Sequence, residues 1–160
     1  MNTNTTNTNE TEKLAINSVV ASHLLAKWLG EEESSVEEAR FDSWGLTTLE
    51  VGSDTYAVGT DEECDAACCE YIKESVWSFK SEFILEECGL PMELAEAIRS
   101  FQEKECESAN AAILALIEKT CGVAEFTRAA ISADGRGHFL ASYDGDEISL
   151  GNGFFAYRIG

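Results

Sequence analysis

The chain has 160 residues, 44% apolar and 26% charged, a size that buries roughly 70% of its unfolded surface without needing metal or disulfide staples. Thirty Asp and Glu against eleven Lys and Arg give a formal charge of −19, which argues against direct electrostatic binding to nucleic-acid phosphates or to an anionic membrane, since both need a positive patch. No apolar run approaches the length of a spanning helix and no leader pattern opens the chain, so the expected setting is a soluble, cytoplasmic protein.

Residues 1–9 form an Asn- and Thr-rich tract, expected as a disordered tail ahead of a single domain over residues 10–160. From about Glu10 to Leu29, Leu14, Val20, Leu24 and Trp28 recur at helical spacing, and Gly30 stands where that helix should stop. Glu31, Glu32, Glu33, Glu37 and Glu38 make a solvated acidic segment, read as one short helix. The runs Leu46 to Val51 and Tyr56 to Val58 flank Gly52-Ser53-Asp54 and predict a hairpin.

Thr60-Asp61-Glu62-Glu63 has the spacing of a capping box, in which the Thr60 hydroxyl and the Glu63 carboxylate each accept from the other's backbone amide. The helix it opens is predicted to reach about Cys88, with Gly89 ending it and Pro91 opening the next. Its apolar stripe is Cys68, Ile72, Val76, Phe79 and Phe83, with Glu63, Glu70 and Glu74 on the opposite side. Further helices are expected over Pro91 to Gln102, Glu105 to Cys121 and Val123 to Ser132. The apolar run Ala111 to Ile117 places the second of these at the centre of the core.

The pattern then turns to strands. His138 to Tyr143, Asp146 to Leu150 and Phe154 to Ile159, joined by Asp144-Gly145 and Gly151-Asn152-Gly153, predict a three-stranded meander. The fold class is α+β: four to five helices packed with an antiparallel hairpin and a C-terminal meander.

Chemistry-bearing constellations are few. Cys64, Cys68, Cys69, Cys88, Cys106 and Cys121 lack the paired spacing of a zinc site, and His23 and His138 do not complete one. They read as reduced core thiols, with no metal and no cofactor. Asp144-Gly145-Asp146-Glu147 begins like a calcium loop but has Ile148 and Ser149 where such a loop needs an Asp or Asn and then Gly. In Asp134-Gly135-Arg136-Gly137-His138, Arg136 could hold an anion and His138 could move a proton, an alternative ligand site. No phosphate loop, nucleophile elbow or metalloprotease motif is present, and no enzyme is expected.

What remains is the acid excess. Glu31 to Glu107 holds 22 acids and 5 bases, and carboxylates repeated along helices and loops can imitate the phosphate rows of a duplex. The residues expected to meet a partner are Glu31, Glu32, Glu33, Glu37, Glu38, Asp61, Glu62, Glu63, Asp65, Glu70, Glu74, Glu82, Glu86 and Glu87. A different expectation is an adaptor docking through exposed Trp44, Trp77 and Phe154, with the acids only solubilising.

The span from Tyr56 onward, above all Asp134-Gly-Arg-Gly-His-Phe-Leu-Ala-Ser-Tyr-Asp-Gly-Asp-Glu, resembles a recurrent type of acidic phage and mobile-element protein. In charge and size the chain is similar to DNA-mimic antirestriction proteins and acidic anti-CRISPR proteins. That resemblance implies an inhibitor in the host cytoplasm whose partner is a host protein with a basic nucleic-acid-binding groove, acting by occlusion rather than by chemistry.

Overall fold

The computed structural model describes residues 5–39 and 43–160, with side chains from residue 17 onward. The fold is α+β, and the chain divides into two compact units. A sheet unit takes residues 1–67 and 140–160, and a helical unit takes residues 68–139.

The sheet unit opens with helix α1 (Thr5–Leu29). It begins five residues upstream of the expected start, inside the Asn and Thr tract, and residues 1–4 of the expected tail lie outside the described residues. Gly30, at φ 74°, ends it, and the Glu31 amide reaches back to the Ala26 carbonyl. Among its described side chains, those buried are Ala21, Leu24, Leu25 and Ala26, whereas Trp28 is half exposed. The expected stripe therefore lies one position off at its end, and Leu14 falls outside the described side chains.

The acidic segment forms a 3-10 turn (Glu33–Ser35) and then strand β1 (Val36–Glu38), not a short α-helix. Strands β2 (Thr47–Val51) and β3 (Asp54–Thr60) form the predicted hairpin, with Gly52 at φ 64° in its two-residue turn. Two later strands, β4 (Ile148–Gly151) and β5 (Phe154–Arg158), join through the positive-φ pair Asn152-Gly153, which suits a hairpin of right-handed twist. All pairings are antiparallel, in the order β1-β2-β3-β5-β4. Val58 faces Ala156 and Tyr56 faces Arg158 across the central pair. Leu49, Tyr56, Val58, Phe154 and Ala156 pack in one buried cluster with Ala21, Leu24 and Leu25 of α1.

The third strand of the expected meander does not form. Residues Arg136–Leu140 are a short helix, here named α7, because Phe139, Leu140 and Ala141 are buried in succession and a strand would alternate them. Asp144-Gly145 is accordingly no hairpin turn: the Gly145 amide bonds the Ala141 carbonyl, and Asp144 caps the Asp146 amide at 3.0 Å.

Helix α2 (Asp61–Ser75) begins in the sheet unit and continues into the helical one. It stops well short of Cys88. A 3-10 turn (Val76–Ser78) and extended Phe79 and Lys80 separate it from α3 (Ser81–Glu87). A 3-10 turn (Met92–Leu94) then leads into α4 (Ala95–Glu105), another (Cys106–Ala109) into α5 (Asn110–Lys119), and α6 (Val123–Asp134) follows. Cys68, Ile72, Val76, Ile84, Leu85, Ile117 and Phe126 are almost wholly buried. Phe79 and Phe83 stand against Phe126 with ring centroids at 5.3 and 5.4 Å, separations at which tilted aromatic pairs attract. Helix α5 is not the core centre: only Ile113 and Ile117 of its apolar run are buried, while Ala111, Ala112 and Ala115 face solvent.

Candidate functional site

The capping box forms as the sequence requires. The Thr60 amide donates to Glu63 Oε2 at 2.8 Å and the Glu63 amide donates to Thr60 Oγ1 at 3.3 Å. Glu63 Oε1 also accepts from Asn17 Nδ2 of α1 at 2.7 Å. Glu63 is thus a half-buried structural carboxylate rather than a free surface charge. Asp61 and Glu62 share the first turn of α2, where negative charge complements the helix dipole.

Along the other flank of α1, Ser18 donates to Glu38 and His23 pairs with Glu33. Asn17 and Ser18 are adjacent, so the start of α2 and the end of β1 both meet the same turn of α1. Glu31, Glu32, Glu33, Glu37, Glu38, Asp61, Glu62 and Asp65 are all exposed. On β1, Glu37 stands directly opposite Glu50 of β2, an arrangement of like charges that destabilises a strand pair.

The helical unit treats its acids differently. Glu70 is bound by Lys73 at 2.6 Å, Glu82 and Glu96 by Arg99, and Glu125 by Arg128. Its own backbone amide, then the Ser81 hydroxyl, hold the Glu82 carboxyl below the usual carboxylate range. Glu74 and Glu86 are exposed and Glu87 is half-buried. Because α2 ends at Ser75, Glu82, Glu86 and Glu87 stand on a separate helix from Glu70 and Glu74. Glu63, Glu70 and Glu74, expected on one helix face, do all stand on α2, but the helix expected to run on to Cys88 ends before Glu82.

The charge therefore concentrates by unit. Residues 1–67 and 140–160 carry 17 acids and 4 bases, a net of −13, and residues 68–139 carry 13 acids and 7 bases, a net of −6. Within the sheet unit, four cations cannot neutralise seventeen carboxylates.

Arg136 and His138 both lie on α7, Arg136 half-buried and His138 exposed. His138 lines a cleft of about 350 Å³ in the helical unit whose walls include Phe79, Phe83, Phe139 and Tyr71, with Lys80 and Asp134 also on its lining. Phe79 and Phe83, close together in sequence, were the visible signal for this cleft, but a continuous helix was expected there. Of the aromatic anchors, Phe154 is buried in the sheet core, and Trp44 and Trp77 are half-buried. The exposed large apolar side chains of the helical unit are instead Met92, Leu94 and Phe101.

Sequence reasoning also missed a group on the sheet. Arg158 Nη2 donates to Asp54 Oδ1 at 2.6 Å, and its guanidinium lies 3.9 Å from the ring centre of Tyr143. Tyr56 packs beside them, and burial first, then Asp54, pushes its phenol up from the ordinary value. Among the described residues, no helix is long and apolar enough to cross a membrane. Comparison with protein families, curated proteins and solved structures gives no match.

Proposed function

We propose that this is a non-enzymatic binding protein whose sheet unit offers carboxylates, in place of phosphates, to the basic groove of a host nucleic-acid-binding protein. On this reading it acts as a phage-encoded inhibitor of a defence complex, of the antirestriction or anti-CRISPR type. The observation that supports it most is the net −13 of the sheet unit, presented by exposed Glu31, Glu32, Glu33, Glu37, Glu38, Asp61, Glu62 and Asp65. Such a surface steers a cationic partner from a distance and fixes its register through complementary charge.

The test is competition. Immobilised protein should retain nucleic-acid-binding proteins from a bacterial lysate at about 50 mM salt, and added duplex DNA or about 500 mM salt should release them. Changing Glu31, Glu37 and Glu62 together to Gln should weaken retention, since none of the three caps the fold as Glu63 does. Retention indifferent to duplex, salt and the triple variant would overturn the proposal. It would favour a second reading, an adaptor docking through exposed Met92, Leu94 and Phe101, because burial of apolar surface is not screened by salt.

A further inference from the structure

Two cysteines of the helical unit meet across 33 positions of sequence. Cys88 Sγ and Cys121 Sγ are 3.9 Å apart, both reduced. Each sits in the turn that leaves a helix, Cys88 after α3 and Cys121 after α5, and each precedes a positive-φ glycine, Gly89 at 63° and Gly122 at 84°. Backbone bonds pin both turns: Leu90 N to Leu85 O at 2.8 Å, and Gly122 N to Ile117 O at 2.8 Å. The sulfurs are therefore brought into contact by two hydrogen-bonded turns. Reaching a bond length of about 2.05 Å asks for an approach of under 2 Å. Cys64 and Cys68 differ, since they lie one turn apart on the same helix, where Cβ atoms are about 5–6 Å apart and too distant for a disulfide.

We propose that Cys88 and Cys121 form a redox-modification site, a thiol pair that a low-molecular-weight disulfide of the glutathione class converts into an intramolecular disulfide. Cys121 is half-buried and Cys88 is 8% exposed, which sets the order of events. The Cys121 thiol loses its proton to solvent and attacks one sulfur of oxidised glutathione. That S–S bond breaks, one glutathione thiolate leaves, and a mixed disulfide stays on Cys121. Cys88 then gives up its proton and attacks Cys121 Sγ, displacing the second glutathione thiolate. Two protein thiols are oxidised by two electrons, and one glutathione disulfide is reduced to two thiols. Burial chiefly, with Cys121 nearby, pushes the Cys88 thiol up, which suits it to the second, intramolecular step rather than to first attack. The product ties the end of α3 to the end of α5 and closes a loop around α4.

The full chain, reduced and then incubated with oxidised glutathione, should lose two hydrogens in intact mass, and peptide mapping should show a Cys88–Cys121 link. Its Tm should rise by roughly 5 °C or more and return on adding dithiothreitol. Cys88→Ser should accumulate glutathione on Cys121, and Cys121→Ser should show no link. Glutathione stable on Cys121 of the unmutated chain, or oxidation confined to Cys69 and Cys106, would overturn the proposal. The mapping uses the native sequence, so it decides the matter even if a Ser variant fails to fold.

Discussion

At the scale of residues, two side-chain environments give sharp expectations. Gly59 of β3 is needed for close approach: a Cβ there would lie 2.6 Å from Leu46 Cδ2 and 3.3 Å from Glu63 Cβ. Gly59→Ala should destabilise by about 1–2 kcal/mol, measured by urea denaturation, because Leu46 is itself buried and can yield only partly. Tyr56 sets an alkaline limit. Its folded pKa is raised above the ordinary 10.0, so the native state holds the proton that the unfolded chain releases. Its contribution is complete below about pH 10 and is lost as pH rises through the folded value. Melting between pH 9 and 11, roughly the titration range of a tyrosine, should show a decline that Tyr56→Phe reduces; an unchanged slope would remove Tyr56 as its source.

At the scale of elements, the most informative feature is the break between α2 and α3. No Pro or Gly interrupts residues 61–88, and the apolar spacing runs straight through, so sequence predicts one helix. Two amides supply what that prediction lacks. Asn110 Oδ1 accepts from the Trp77 amide at 3.1 Å while its Nδ2 donates to the Lys73 carbonyl at 2.7 Å, and Gln102 Nε2 donates to the carbonyls of Trp77 and Phe79. These bonds satisfy backbone groups that the interrupted helix would leave unpaired. Asn110→Ala should therefore cost about 1–3 kcal/mol, read as a shift in denaturation midpoint without loss of α-helical signal. Where local chemistry decides, the sequence was legible: the capping box, the Gly52 and Asn152-Gly153 turns and the Gly30 stop all form. It was illegible where partners come from 23 to 37 positions away, as at this break, or where three successive buried residues displaced a strand by α7. The candidate site shows the same division, since the acids were evident but the role of Glu63 depends on Asn17, 46 positions distant. On the edge strand, Glu37→Lys should turn a repulsive pair with Glu50 into an attractive one and stabilise by about 0.2–1 kcal/mol. A thermal melt at low salt checks this, and no gain would mean that the two carboxylates already diverge into solvent.

At the scale of the whole chain, the unevenness of charge is the governing quantity. A net of −13 confined to 88 residues works against compaction by self-repulsion. Raising salt from about 10 to 300 mM should therefore raise the Tm, since the screening length falls from about 30 Å to well under 10 Å. Calorimetry across that range measures it. A flat response would show that the carboxylates are spaced widely enough to ignore one another, and would also weaken the case for a phosphate-like surface.

The pairing of β3 with β5 has a consequence in time. Thr60 meets Phe154, 94 positions later in the chain, so the middle of the sheet closes only after the whole helical unit has been synthesised. Contacts so remote in sequence form late. Until then β3 is an open strand, with a row of unanswered amides and carbonyls able to pair with any neighbouring nascent chain. The carboxylates of the first turn of α2, which follows β3 directly in the chain, are already present at that stage. Two half-made copies approaching each other bring like charge to like charge. Such repulsion favours leaving the edge of the unfinished sheet open for β5.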